Sequence, residues 1–346
     1  MKRVLLTGGS GFIGHHVVEH LLKNTDWAII VLDKLSYAGD VNKLTDVESY
    51  DPSRVSIVWH DLRAPIMESL AERIGPVDYV INMASESHVE RSIIDPNPFV
   101  MNNVALVLNM LDYANEVKPE KFIQISTDEV YGPAPIGYDF REWDTYLPSN
   151  PYSASKAAQE SIAISYWRTY GTPVAIVNSM NVFGERQHKE KFIPLIISRL
   201  MNGVPVPVHA ERVEHPAPPH AYEWVPGSRF WLHARNLADA LLFILRHVEF
   251  NAYPRATVPT KFHVVGEQEL DNLEVVYKVA AILNVQNPSV EFVDFHSQRP
   301  GHDRRYALDG AKLREAGWTA PFSLDESLKK AVLWTLHQGK DAMMLE

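Results

Sequence analysis

Apolar positions in the first half of the chain alternate between two rhythms. Short β-branched or apolar runs at Arg3 to Leu6, Ala28 to Leu32, Val55 to Trp59, Val77 to Asn82, Lys121 to Ser126 and Pro173 to Asn178 predict strands. Between them, Ile13 to Lys23, Phe99 to Glu116 and Tyr152 to Tyr170 carry helical spacing. Strands separated by helices pair in parallel, because each crossover must run the length of the sheet and cover one of its faces. The pattern therefore predicts an α/β fold with a doubly wound parallel sheet.

After about Asn181 the rhythm is lost. Six prolines, at 205, 207, 216, 218, 219 and 226, fall between Pro205 and Ser228, so no long helix or central strand is expected there. Helical spacing returns at Ala234 to Arg246 and Asn272 to Leu283, with a short strand at Lys261 to Val265. The expected layout is a large α/β domain, residues 1–182 and 230–265, and a smaller C-terminal domain, residues 183–229 and 266–346.

At 346 residues the chain has room for about two domains, and 46% hydrophobic with 22% charged residues is a globular composition. Forty-three acidic against 33 basic residues give a net charge of -10, which disfavours nucleic acid and anionic membranes as partners. Zero cysteines exclude disulfides, thiolate metal sites and cysteine nucleophiles. The apolar run at the N-terminus breaks after Leu6, too short for a secretion signal or a spanning helix, so a cytoplasmic location is expected.

Gly8, Gly11 and Gly14 follow the first strand at three-residue spacing and open the first helix. A sharp turn, a backbone close to a diphosphate and tight helix packing each require a missing side chain, while the helix N-terminus offers amides to the anion. Asp33 closes the second strand, 33 − 14 = 19 residues on, where a carboxylate accepts from both ribose hydroxyls and repels a 2′-phosphate. The pattern predicts a Rossmann domain that binds NAD in preference to NADP; the plainer alternative is a structural glycine turn.

Tyr152 and Lys156, four apart, project from one helix face. A lysine beside the phenol is expected to draw its pKa from about 10 toward neutrality, about 4 kcal/mol of differential stabilisation, making a base for an alcohol oxidised by hydride loss. Ser126-Thr127-Asp128-Glu129 follows the strand from Lys121, at the edge where such sheets bind ligands. Its carboxyls either divide acid and base work or merely cap a turn and meet solvent.

Two further patterns lack their context. His16-Val17-Val18-Glu19-His20 matches an inverted zinc-protease motif without a third ligand, and Ser153-Ala154-Ser155-Lys156 matches a penicillin-recognising motif without its companions. No metal site is expected.

The combination resembles the extended short-chain dehydrogenase/reductase family, and within it the dTDP-glucose 4,6-dehydratases, from Gly8 to about Trp334. The specific stretches are Asp33 to Gly39, Ser85 to Ser92, Ser126 to Gly132, Pro151 to Lys156 and Arg299 to Tyr306. The resemblance implies that Tyr152, with Lys156, deprotonates a glucose 4-hydroxyl oriented by Thr127 while NAD takes the C4 hydride. Glu129 then removes the C5 proton, Asp128 protonates the departing 6-hydroxyl, and hydride returns to C6. It places the cofactor against Gly8, Gly11, Phe12, Ile13, Gly14, Asp33, Lys34, Ser36, Gly39, Asp61, Leu62, Ala84, Ser85, Tyr152 and Lys156. It places a nucleotide-diphosphate sugar against Ser87, His88, Asn181, Lys191, Arg229, Asn272, Arg299 and His302.

Three departures bear on the substrate: Val182 replaces a second asparagine, Ser85 replaces an alanine, and the proline-rich segment from His209 to Ser228 is longer than its counterpart. The base is therefore open among dTDP, UDP and CDP. A 4-epimerase and a catalytically silent NAD sensor are the competing expectations. A homodimer formed through the helices at Phe99 to Glu116 and Tyr152 to Tyr170 is also expected.

Overall fold

The computed structural model describes residues 1–36, 39–214, 222–295 and 304–337. Its main sheet contains β1 (Arg3–Thr7), β2 (Ala28–Asp33), β3 (Val55–Trp59), β4 (Tyr79–Asn82), β5 (Lys121–Thr127), β6 (Val174–Ser179) and, further along the chain, β12 (Thr260–Val264). These lie in the order β12-β6-β5-β4-β1-β2-β3, and every neighbouring pair is parallel. Apart from the edge strand β3, whose Ser56 and Trp59 are exposed, the strands are buried on both faces, which is why they read as nearly continuous apolar runs rather than alternating ones.

Helices Phe12–Asn24 and Ala234–His247 cover one face, joined by Leu313 and Trp318 from far along the chain. Helices Pro96–Val117 and Pro151–Tyr170 cover the other, where Trp167 is fully buried. Burial of each large apolar side chain in such a layer contributes about 1.5–3 kcal/mol.

Local chemistry sets the helix ends. Both helices of the second face begin with proline at their first position, where no amide hydrogen is needed, so the longer one starts at Pro96, ahead of the expected Phe99. Asn150 and Ser153 form a reciprocal capping box at the start of helix Pro151–Tyr170, and Gly171 ends it at φ 71°. This start places Tyr152 in the first turn.

The remaining strands form small sheets beside the main one. β7 (Val182–Phe183) pairs with β11 (Leu232–His233), and β10 (Ser228–Phe230) lies between β13 (Glu269–Asp271) and β15 (Arg305–Tyr306). β8 (Val206–Glu214) lies between β14 (Val290–Asp294) and β9 (Tyr222–Pro226).

The expectation that no central strand enters the proline-rich segment is thus corrected: β8 is nine residues long and central in its sheet. Pro207 is tolerated because β9 engages only from Ala210 onward, leaving that side of β8 open at the proline. Trp224 of β9 stacks on Phe292 of β14 with ring centroids 5.9 Å apart. Helices Phe192–Met201, Asn272–Ile282 and Leu324–His337 complete a separate apolar core around β8. Among the described residues no helix is long and apolar enough to cross a membrane.

Candidate active site

The chain runs outward from β1 to β3, then returns to β4 on the far side of β1, so strand order reverses between β1 and β4. Ligands of open α/β sheets bind beyond the carboxyl ends of the strands at such a point. The glycine turn follows β1, and Ala84 and Ser85 follow β4. Thr7 Oγ1 ties the two together, accepting from the amides of Met83 and Ala84 at 3.0 Å each.

Gly8 adopts φ 71°, the left-handed region, and a Cβ on Gly14 would lie 2.2 Å from the Gly8 carbonyl oxygen. The turn therefore packs flush on helix Phe12–Asn24, whose first residues Phe12 and Ile13 are half-buried and whose N-terminus, capped by Gly11, bears no side-chain cap. Amides left free by a cap suit a diphosphate. Asp33 is buried; Oδ2 accepts from the Ser10 amide at 3.0 Å and Oδ1 from the Leu35 amide at 2.9 Å. A carboxylate retains further lone pairs beyond these two, so ribose hydroxyls remain within its capacity.

Other expected cofactor residues surround the turn. Lys34 pairs with Glu86 at 2.9 Å, Ser36 is exposed, and the Gly39 amide donates to Ser36 at 2.8 Å. Asp61 accepts from Arg63, which holds its carboxyl below the usual range, and the buried Leu62 offers its carbonyl to Asn109 at 2.7 Å.

Past β5 the chain turns into a short 3-10 helix, Asp128–Tyr131, capped by Thr127. Thr127 Oγ1 donates to Asp128 Oδ1 at 2.8 Å. Asp128 is 3% exposed, and its Oδ2 has no hydrogen-bond partner among the described residues. Burial pushes its carboxyl up to about 6, against the opposing pull of the Thr127 hydrogen bond and of Arg229. Glu129 is half-buried and accepts from Asn150 Nδ2 at 3.3 Å. Of the plainer alternative for this triplet, the cap is present at Thr127, but neither carboxyl is free in solvent.

Tyr152 is half-buried, its amide donates to Ser92 Oγ at 3.2 Å, and its phenol is within hydrogen-bonding reach of Thr127. The expected lowering of this phenol by Lys156 is not found. Burial, then the negative charges of Glu129 and Asp128, push the phenol above its ordinary value, with only the Thr127 contact opposing them. The Lys156 ammonium is directed instead to the Ile125 carbonyl at 2.8 Å and Gln159 Oε1 at 2.6 Å, and burial lowers it to about 8.

The expected sugar-nucleotide residues fall into two groups. Arg229 of β10 is buried, its charge reaches Asp128, and Asn272 stands beside it, its amide donating to the Gly227 carbonyl at 2.9 Å and its side chain to the His209 carbonyl at 3.1 Å. His88 caps helix Val89–Ile94 and faces Glu190 at 3.2 Å, and burial together with Lys191 holds its imidazole below the usual range. Ser87 is exposed, whereas Asn181 has a buried Oδ1 without a partner among the described residues. Arg299 and His302 lie outside the described residues.

Neither context-free motif assembles. His16 faces Glu185 and His233 in the interior, and His20 faces Asp239 at 3.5 Å. Ser153 belongs to the capping box, and Ser155 donates to the Tyr152 carbonyl at 2.6 Å.

Four supporting residues were not anticipated. Asn150 holds Glu129, Ser92 holds the Tyr152 backbone, Asn178 donates to the Thr127 carbonyl at 2.9 Å, and Gln159 holds Lys156. Of these, Asn150 carried a sequence signal as an N-cap residue before a proline, and Ser92 stood in the stretch Ser85 to Ser92 without an assigned role.

Residues 4–258 match the model of the NAD dependent epimerase/dehydratase family. The chain is 36% identical to a probable dTDP-glucose 4,6-dehydratase of Sinorhizobium fredii, with 97% of this chain and 93% of the relative covered. The solved dTDP-glucose 4,6-dehydratase of Streptomyces venezuelae, which holds NAD, superposes with a TM-score of 0.82 at 32% identity, covering 98% and 99% of the two chains. A UDP-glucose 4-epimerase of Thermus thermophilus, also with NAD, gives a TM-score of 0.79 at 27% identity, covering 96% and 98%.

Proposed function

Because the chain belongs to the NAD dependent epimerase/dehydratase family, we propose that it converts an NDP-glucose, dTDP-glucose foremost, to the NDP-4-keto-6-deoxy sugar and water. The observation that carries this reading is Asp128: a buried carboxyl with its pKa raised to about 6, beside a second carboxyl and facing Tyr152. A 4-epimerase needs the tyrosine but has no step that requires an acid to expel a hydroxyl.

The glycine turn and the N-terminus of helix Phe12–Asn24 would hold the NAD diphosphate, Asp33 the ribose, Asp61 and Leu62 the adenine end, and Ala84 and Ser85 the length of the cofactor between them. When bound, NAD would supply the hydride chemistry, oxidation at sugar C4 and reduction at C6. Tyr152 takes the 4-hydroxyl proton while Thr127 orients that hydroxyl. The phenol's pKa stands raised and the Lys156 ammonium is held by the Ile125 carbonyl and Gln159, so in this reading Lys156 contributes a positive charge kept on the same helix face as Tyr152 rather than a contact with the phenol. With a ketone at C4 the C5 hydrogen becomes acidic; Glu129 removes it, and Asp128 gives its proton to the 6-hydroxyl as the C6–O bond breaks. Arg229, Lys191, Asn272 and Asn181 would bind the nucleoside diphosphate, the guanidinium through paired hydrogen bonds.

The division into a cofactor unit, residues 1–182 and 230–265, and a sugar-nucleotide unit, residues 183–229 and 266–346, is part of this proposal. So is a homodimer: Met101 and Leu108 are exposed on helix Pro96–Val117, one apolar stripe with the half-buried Val104 and Ala105. A cytoplasmic location accompanies it, since NAD and nucleotide sugars are polyanions that lipid bilayers hold back. Incubation with dTDP-, UDP- and CDP-glucose, read by mass spectrometry, tests the function. A product lighter by one water supports it, and an isobaric product marks an epimerase.

A further inference from the structure

Gln159 is fully buried, three residues beyond Lys156 on the same helix. Its Oε1 accepts from Lys156 Nζ at 2.6 Å, and its Nε2 donates to the Asn103 carbonyl of helix Pro96–Val117 at 2.8 Å. Asn103 is fixed in turn: its side chain donates to Ser155 Oγ at 2.8 Å and to the Glu86 carbonyl at 3.1 Å, and accepts from Ser85 Oγ and the Glu86 amide. Toward the sheet, Gln124 Nε2 approaches Gln159 Oε1 at 3.4 Å, Asn82 donates to Gln124 at 2.8 Å, and Thr7 donates to Asn82 at 2.7 Å. Side-chain hydrogen bonds therefore connect Lys156 to Thr7, at the end of β1, and through Asn103 to Ser85.

A side-chain amide has two ends, and a flipped one would turn donors toward the ammonium. Of the two ends of the Gln159 amide only Nε2 can donate to the Asn103 carbonyl, so that carbonyl disfavours the flip and keeps Oε1 on Lys156. Without Gln159, the buried Nζ would retain, among the described residues, the Ile125 carbonyl as its hydrogen-bond acceptor.

We infer that Gln159 is a positioning residue for the proposed oxidation step: its amide, oriented by the Asn103 carbonyl, fixes Lys156 Nζ and keeps it an ammonium. The inference rests on the assignment of Tyr152 and Lys156 above.

The groups facing Lys156 are Glu160 of its own helix, Ile125 of β5 and, through Gln159, Gln124 and Asn103; Tyr152 is one helical turn earlier, with the charges of Glu129 and Asp128 acting on its phenol. Glu160 is paired with Lys261 of β12 at 2.8 Å. Burial lowers Lys156 and Glu160 opposes it. Loss of the Gln159 acceptor lowers it further, and a carboxylate at position 159 raises it.

The test uses the full chain loaded with NAD and isotopically labelled at lysine Cε, with the Lys156 resonance identified by its loss in Lys156→Arg. The Lys156 titration midpoint falls by about one pH unit in Gln159→Met and rises by a similar amount in Gln159→Glu. The alkaline limb of kcat with dTDP-glucose moves the same way, and kcat of Gln159→Met at pH near 8 drops about fivefold while KM is unchanged. Should Gln159→Met fail to give a cooperative melt, Gln159→Glu alone decides. Equal midpoints in the variant and native proteins overturn the inference. Shifted midpoints in a protein that dehydrates no sugar nucleotide uphold the clamp and defeat the assigned reaction; unshifted midpoints with turnover intact defeat the clamp alone.

Discussion

The Thr127 hydroxyl donates to Asp128 Oδ1 at 2.8 Å and also lies within hydrogen-bonding reach of the Tyr152 phenol. One short side chain thus touches both the residue assigned to oxidation and the acid assigned to elimination. Its place is fixed from behind, because Asn178 Nδ2 holds the Thr127 carbonyl while also donating to Glu160 at 2.7 Å.

Thr127→Val keeps the shape and removes the hydroxyl, so kcat is expected to fall by about 10- to 100-fold, the worth of hydrogen bonds to ionisable groups. Thr127→Ser retains most activity. Steady-state kinetics on both variants checks this, and equal rates in the two would remove Thr127 from the mechanism.

Asp128 makes stability depend on pH in a defined direction. Its pKa rises from 3.8 unfolded to about 6 folded, so between these values the folded state holds more protons and stability falls as pH rises. The shift of about two units corresponds to about 3 kcal/mol, fully developed above pH 6. Asp128→Asn therefore gains stability relative to the native protein on going from pH near 4 to pH near 7.5, measured by denaturant unfolding. The same variant loses dehydration.

The ion pair of Glu160 and Lys261 is completely buried, and Tyr146 shares both partners, donating to Glu160 at 2.5 Å and accepting from Lys261 at 2.8 Å. Lys261→Ala strands the carboxylate and is expected to cost about 3–5 kcal/mol. A Glu160→Leu, Lys261→Met double variant recovers much of that loss, and unfolding midpoints compare the two.

Gly14→Ala would place its Cβ 2.2 Å from the Gly8 carbonyl and 2.5 Å from Gly9 Cα, both backbone atoms that cannot swing aside. The turn must shift, at a cost of about 1–3 kcal/mol, and NAD affinity by calorimetry is expected to fall more than the melting temperature suggests. Native affinity in this variant would remove the glycine turn from the cofactor site.

Much of this arrangement was legible in residue order. All the sheet strands but the edge strand β3 are buried on both faces and read as apolar runs, the glycine turn needs its glycines for steric reasons, and Tyr152 and Lys156 share a helix face through simple periodicity. β8 was hidden because Pro207 and the prolines around the strand argue against a central position, whereas pairing on one side only at Pro207 removes the objection. The direction of the Tyr152 shift was hidden for a different reason. Spacing puts a lysine four residues away but does not show that Ile125 and Gln159 attract its ammonium, or that two carboxyls stand nearer the phenol in effect. Gln159, Asn178 and Ser92 act through tertiary contacts that no local pattern encodes.

The central claim is that one coenzyme moves a hydride from C4 to C6 around an elimination. Conversion of dTDP-glucose carrying deuterium at C4, followed by mass and magnetic resonance spectra of the product, tests it most directly. The account predicts a product lighter by one water with deuterium in its C6 methyl group. A product of unchanged mass, or a dehydrated one whose C6 methyl carries no deuterium, contradicts it.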